Sequence, residues 1–271
     1  MRCAKYIQLL RLDKPIGIFL LLWPTLTALW LANNGMPSWK LLGVFILGTI
    51  VMRTAGCVVN DCCDRKIDSK VTRTKQRPLA QNIIDLKTAI IMLTGLLFIA
   101  LLLVSQLNSA TIKLSIIAVI LAMLYPLTKR FTHWPQLFLG LAFAMAIPMA
   151  FTASNVPINP TAVLLYVITV LWAMVYDTYY AMVDEADDLK IGVKSLAIFW
   201  GSKVKLFIAV IQGIIILLLL VLGYYQGLLW PYYVAIVIVA GLFIYQHYID
   251  SFQAFRNNNF VGFTIFLAVL A

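Results

Sequence analysis

The chain has 271 residues, 62% of them hydrophobic and only 12% charged, with a mean hydropathy of +0.92. So little polar surface excludes an ordinary water-soluble domain. The net charge of +10 suits anionic headgroups or an anionic substrate, and nothing in its pattern points to nucleic acid or to an obligate protein partner.

The apolar runs are about 20 residues long, the length that crosses a hydrocarbon core of roughly 30 Å. Nine helical spans are predicted, at 16–32, 41–60, 88–105, 111–128, 135–153, 161–183, 204–223, 229–249 and 259–271. They leave no separate soluble unit, so the fold class is all-α and 1–271 is one polytopic membrane domain. Basic residues precede the first run without a small-residue cleavage site, so that run reads as a retained anchor rather than a signal peptide. The second run ends in Asn60-Asp61-Cys62-Cys63-Asp64-Arg65-Lys66-Ile67-Asp68 and the sixth in Asp184-Glu185-Ala186-Asp187-Asp188. Carboxylates at membrane depth are costly and mark function by default. The chain stops inside its ninth predicted span, which leaves its natural end open.

With nine spans, 18 of the basic residues fall on the side of the N-terminus and only Lys40 and Lys113 on the other, with Arg53 inside a span. This positive-inside bias places the N-terminus and both acidic clusters at the cytoplasmic face, in a bacterial inner membrane. Cys3, Cys57, Cys62 and Cys63 lack zinc or redox spacing and read as packing residues. His133 and His247 lie near span ends without a ligand partner in register and read as structural or interfacial. Trp30, Trp39, Trp134, Trp230, Tyr232 and Tyr233 read as interfacial anchors.

Spans two and six run in the same direction, so they deliver their clusters to one face. This suggests two four-helix halves plus a ninth helix around a central cavity. At about 100° per residue, Arg53, Asn60, Asp64 and Asp68 share roughly an 80° arc, and Asp177, Asp184 and Asp188 share about 40°. Asp61, Arg65 and Asp187 point to the flanks. Arg53 and Asp177 each sit seven residues before the first ligand-type residue of their stripe, about 10 Å deeper along the helix. They are expected to pair, directly or through a bound acceptor, and so to form a catalytic floor.

Two facing acidic stripes suit Mg²⁺, which binds through a few carboxylates and substrate phosphates. A metal held this way grips a diphosphate. Arg73, Arg77, Lys129, Arg130, Lys190 and Lys194 are the cations placed to complete the clamp. A diphosphate at the membrane edge above an apolar cavity implies a lipid-tailed substrate. Its departure leaves an allylic cation for an electron-rich acceptor. Aspartates beside basic loops also serve as solvated caps, but two clusters at matching ends of one face argue against that. A cation transporter would place its sites near the bilayer midplane, whereas these lie at one edge.

The motifs Asn60-Asp61-x-x-Asp64-Arg65-x-x-Asp68 and Asp184-x-x-x-Asp188 resemble the two aspartate-rich motifs of the UbiA superfamily of intramembrane prenyltransferases. The segments Arg11-Leu-Asp-Lys-Pro-Ile-Gly17, Met52-Arg-Thr-Ala-Gly-Cys57, Arg73-Thr-x-x-Arg77-Pro-Leu79, Tyr125-Pro-x-x-Lys129-Arg130, Tyr176-Asp177-Thr-x-Tyr180 and Asn257-Asn-Asn-x-Val-Gly262 narrow the resemblance to its 4-hydroxybenzoate-prenylating branch. The haem- and chlorophyll-prenylating relatives share the acidic logic but not these acceptor-side motifs. The resemblance implies Mg²⁺-dependent transfer of a polyprenyl group from polyprenyl diphosphate to the carbon ortho to the hydroxyl of 4-hydroxybenzoate, within ubiquinone synthesis. It implies Asn60, Asp64, Asp68, Asp184 and Asp188 as the metal–diphosphate residues. Arg130 is implied for the benzoate carboxylate, with Asp61, Tyr125 and Tyr180 also lining the substrates.

Overall fold

Eight of the nine predicted spans fall on one helix each and the fifth on two, and among the described residues there is no β-strand. The computed structural model describes residues 2–270, with side chains from Ala4 onward. The thiol of Cys3, read as packing, lies outside the described side chains, and Ala271 of the ninth span lies outside the described residues. The helices are α1 (Arg2–Leu9), α2 (Ile16–Asn33), α3 (Trp39–Asp68), α4 (Leu86–Val104), α5 (Ser109–Thr128), α6 (Pro135–Ala144), α7 (Ala146–Ala153), α8 (Pro160–Ile191), α9 (Leu196–Trp200), α10 (Val204–Gln226), α11 (Trp230–Gln246) and α12 (Ser251–Leu270). Among the described residues, seven stretches are long and apolar enough to cross a membrane: α2, α3, α4, α5, α6–α7, α8 and α9–α10. The other two predicted spans fall short of that measure. α11 has only 17 residues, and α12 carries the polar run Arg256-Asn257-Asn258-Asn259 in its second turn.

Local sequence sets the helix ends. The Ser38, Asp85, Asn108 and Asn159 side chains accept from the Leu41, Thr88, Thr111 and Ala162 amides and so start α3, α4, α5 and α8. The predicted fifth span is broken into α6 and α7. Pro148 has no N–H to give the Ala144 carbonyl, and its ring crowds that carbonyl, so the helix interrupts at Met145. α8 stops at Gly192, whose φ of 72° is the left-handed cap conformation. At about 1.5 Å per residue, the 30-residue α3 and 32-residue α8 are roughly 45 and 48 Å long. Each is longer than a hydrocarbon core, so their acidic last turns reach the membrane surface.

The helices pack in a ring. α2 lies on α3, α3 on α4 and α5, α5 on α6, α6 on α8, α8 on α10, and α10 on α11. α12 then packs on α11, α8 and α2 and closes the ring. The asparagine run does this closing. Asn258 Oδ1 accepts from Trp172 Nε1 of α8 at 2.8 Å, Asn259 Oδ1 from Trp23 Nε1 of α2 at 2.9 Å, and Asn257 Oδ1 from Gln246 Nε2 of α11 at 3.0 Å. Buried polar groups left unmade would be costly, so these bonds fix the register of the last helix. An apolar cavity of about 410 Å³ opens inside the bundle, lined from α2 to α7 by residues such as Leu21, Gly48, Met52, Val119 and Met149. Its lining comes from the first four predicted spans and from α6–α7, which form the fifth, so both predicted halves contribute to it.

Candidate active site

The loop from Ser69 to Asp85 brings the two acidic helix ends together. Its Val71, Thr74, Leu79 and Ile84 are buried. Leu79 and Ile84 pack with Leu9 of α1, Val58 of α3 and Ala89 of α4, and Thr74 Oγ1 donates to the Asp68 carbonyl. So anchored, the loop aims its two arginines at different helices. Arg73 reaches α8, where Nε donates to Asp184 at 2.8 Å, Nη2 donates to the other Asp184 oxygen and Nη1 to the Tyr180 hydroxyl. Its guanidinium stacks 4.3 Å from the Tyr180 ring centroid. The Thr72 amide donates to Asp187 at 2.8 Å. Arg77 turns back to α3 and meets Asp61 at 3.0 Å and Asp68 at 2.8 Å.

Asp61, Asp64 and Asp68 are buried, with Asp61 and Asp64 fully so. Buried charges need partners. Asp61, placed by the wheel on a flank, is held by Arg77 and by Arg11 at 2.8 Å. Arg11 is a site residue that helical spacing does not reveal. It stands just after α1 with a φ of 56°, and the only signal for it was its place at the head of the Arg11–Gly17 motif. Asp64 pairs with Lys129 from the end of α5. Burial works to lower the Arg77 and Arg73 pKa values. The Asp61 and Asp68 carboxylates outweigh it at Arg77, and the Asp184 hydrogen bond does so at Arg73, so both are raised above the usual arginine value.

Asp64 and Asp188 keep unused capacity. Asp64 Oδ1 is buried and has no hydrogen-bond partner. Asp188 makes no side-chain hydrogen bond or ion pair among the described residues. Asn60 Oδ1 accepts a long bond from the Tyr125 hydroxyl, 3.5 Å. Hard oxygen atoms with free lone pairs, at the ends of α3 and α8 that the Ser69–Asp85 loop ties together, fit a small divalent cation. As the side chains stand, no set of three or more ligating residues closes on one point among the described residues, because arginine and lysine hold the carboxylates.

Deeper in, Arg53 lines the apolar cavity with Tyr125 and Phe143. Its guanidinium donates to Cys57 Sγ at 3.2 Å and lies 5.7 Å from the Phe143 ring centroid, and its Nε is buried without a partner. Gly17 makes room for it: a Cβ there would fall 2.4 Å from Arg53 Nε. Arg53 and Asp177 make no direct ion pair, so of the two arrangements expected for them the direct one is absent. They stay within electrostatic reach of one another.

Three predicted cations stand outside this cluster. Arg130 is exposed, donates to the Cys63 carbonyl at 2.6 Å and lines a separate outer cleft. Lys194 donates to the Phe131 carbonyl at 3.2 Å and so ties the α8–α9 turn to the α5–α6 turn. Lys190 is 75% exposed and meets only Asp187, at 3.6 Å. Cys57 is buried and Cys62 and Cys63 half-buried, all as free thiols.

The family model described as the UbiA prenyltransferase family matches residues 21–267. The chain belongs to that family. Among relatives of this UbiA chain, the 4-hydroxybenzoate octaprenyltransferase of Coxiella burnetii is 47% identical over 98% of this chain and 95% of its own length. That of Nitrosococcus oceani is 50% identical over the same shares. The fold recurs in the apo structure of a UbiA homolog from Aeropyrum pernix K1, with a TM-score of 0.82 at 21% identity, covering 94% of this chain and 96% of that one. It recurs also in a UbiA homolog from Archaeoglobus fulgidus bound to GPP and Mg²⁺, with a TM-score of 0.73 at 17% identity, covering 98% of this chain and 99% of that one.

Proposed function

We infer that this UbiA protein transfers a polyprenyl group from its diphosphate to the ring carbon ortho to the hydroxyl of 4-hydroxybenzoate, with release of diphosphate, in ubiquinone synthesis. The observation that carries the reaction type is the stacking of two layers: facing acidic helix ends threaded with cations, directly above an apolar cavity. The acceptor rests on the near full-length identity to relatives that bear that activity in their names.

Asp64, Asp68, Asp184 and Asp188, with Asn60, are the residues that would hold Mg²⁺, and the free oxygen atoms of Asp64 and Asp188 support this assignment. When bound, the ion neutralises charge on the diphosphate as it leaves. Arg73, Arg77 and Lys129, released from part of their carboxylate pairing, give charge-assisted hydrogen bonds to the same phosphates. Tyr180, stacked on Arg73, fixes the direction of its fork. The prenyl chain lies in the apolar cavity, whose walls keep water from the allylic cation.

The acceptor carboxylate goes to Arg53 in this account, and not to Arg130. Arg53 is a cation on the cavity wall with an unfilled N–H and no carboxylate of its own. A buried charge of that kind needs an anion. Asp177, from α8, then accepts a hydrogen bond from the phenol and raises electron density at the ortho carbon. A bound acceptor would thus link Arg53 and Asp177 without direct contact between them. In this reading the protein lies in a bacterial inner membrane, and the positive-inside bias supports acidic ends that face the cytoplasm. The test is transfer by membranes supplied with 4-hydroxybenzoate, Mg²⁺ and prenyl diphosphates of several lengths. Activity that requires 4-hydroxybenzoate is expected, and none with any donor would refute the reading.

A further inference from the structure

A second concave site lies outside the reaction centre, at the same end of the molecule. It is a cleft of about 540 Å³ between the last turns of α3, the first turn of α4 and the turn after α5. Cys62, Cys63, Arg65, Lys66, Ile67, Leu86 and Arg130 line it, and none of these lines the apolar cavity. Three cations thus surround one hollow without a carboxylate in its wall. Arg65 and Lys66 have no ion pair or side-chain hydrogen bond among the described residues. The nearby acids have partners outside the cleft: Asp61 meets Arg11 and Arg77, one oxygen of Asp64 meets Lys129, and Asp85 accepts from the Thr88 amide. Arg130 is held in place by its bond to the Cys63 carbonyl, which uses one N–H and leaves the rest of its fork open.

The cleft also sits where lipid is. α4 contributes its wall, and only 6% of that span is buried inside the protein, with Ile90 and Ile91 exposed just above Leu86. Ile67 and Leu86 give the hollow an apolar side, and the guanidinium and ammonium groups give it a charged rim. Basic pockets between helices at a membrane surface are built to hold phosphate-bearing headgroups. An ordinary topogenic pair of cations needs no such hollow and no pinned arginine. We propose that this cleft binds the headgroup of an anionic phospholipid, with Arg65, Lys66 and Arg130 on its phosphate and the acyl chains against α4. The site is independent of the prenyl-transfer reading and stands or falls without it.

The experiment is native mass spectrometry of the purified protein, released from nanodiscs of phosphatidylcholine containing a minor share of phosphatidylglycerol. Wild type should retain phosphatidylglycerol in preference to phosphatidylcholine. Removing two charges with Arg65→Gln and Lys66→Gln together should weaken that retention about 30-fold. Leu86→Trp, which fills the hollow and keeps every charge, should weaken it as well, and it remains informative if the double variant misfolds. Melting temperatures measured in phosphatidylcholine alone establish that the variants are folded. Equal retention by wild type and folded variants would overturn the proposal. So would displacement of phosphatidylglycerol by inorganic diphosphate, which would make the cleft a site for free phosphates instead of lipid.

Discussion

Arg53 is the residue on which the account of the acceptor turns. Its position was legible in sequence, seven residues before Asn60 on the same helical arc. Its partner was not, because helical spacing says nothing about whether a neighbouring helix brings an acid within reach. The structure leaves its Nε free and shows Arg130 turned to a backbone carbonyl on the outer surface. Arg53→Gln is therefore expected to raise KM for 4-hydroxybenzoate about ten- to hundred-fold, the worth of a hydrogen bond to a charged group. The prenyl diphosphate KM should change little, and Arg130→Gln should affect the acceptor less than Arg53→Gln does. Steady-state kinetics with each substrate varied in turn would check the ranking. Gly17 offers a second route to the same residue. Because a Cβ there would collide with the guanidinium, Gly17→Val should displace Arg53 and reproduce the acceptor defect while the acidic ends of α3 and α8 stay untouched. An unchanged KM in Gly17→Val would mean that the position of Arg53 does not matter to the acceptor.

At the scale of elements, the loop between α3 and α4 does more than join them. Leu79, 1% exposed, locks it against α1, α3 and α4, and the lock sets Arg73 on α8 and Arg77 on α3. Leu79→Ala should cost about 2–5 kcal/mol in stability. It should lower transfer beyond what unfolding explains, because both arginines lose their aim. Thermal melting in nanodiscs, set beside activity per folded molecule, separates the two effects. Helices α3 and α8, their shared direction and their acidic arcs followed from period and charge. The break at Met145, the role of Arg11 and the tying of α12 by its asparagines did not. Each depends on which side chain a distant element presents: Pro148 within a run that otherwise reads as continuous, Arg11 from an N-terminal turn, and Trp23 and Trp172 from two different helices. Helical spacing puts Asp61 on a flank of α3. The structure buries it there, since the flank of α3 faces α1 and the loop rather than lipid.

For the whole molecule, the apolar cavity sets what can be transferred. It is bounded by α2 to α7, with the acidic ends at one end and lipid-facing α4 and α5 on its flank. Gly48 lies on its wall, and a Cβ added there meets no neighbour within 4 Å, so a larger side chain would project into the space. Gly48→Phe is expected to lower kcat/KM for long prenyl diphosphates and to spare short ones. A uniform loss across donor lengths would show that the prenyl chain runs elsewhere. The central claim is sharper: one diphosphate leaves for each new carbon–carbon bond on the acceptor ring, at a centre that α3 and α8 build together. The direct measurement follows diphosphate release and product structure with purified protein in nanodiscs, 4-hydroxybenzoate, Mg²⁺ and a polyprenyl diphosphate. The account predicts equal amounts of diphosphate and ring-prenylated product substituted ortho to the hydroxyl, with both abolished by EDTA and by either Asp64→Ala or Asp184→Ala. Product formed in EDTA, attached through oxygen, or made at wild-type rates by either variant would contradict it.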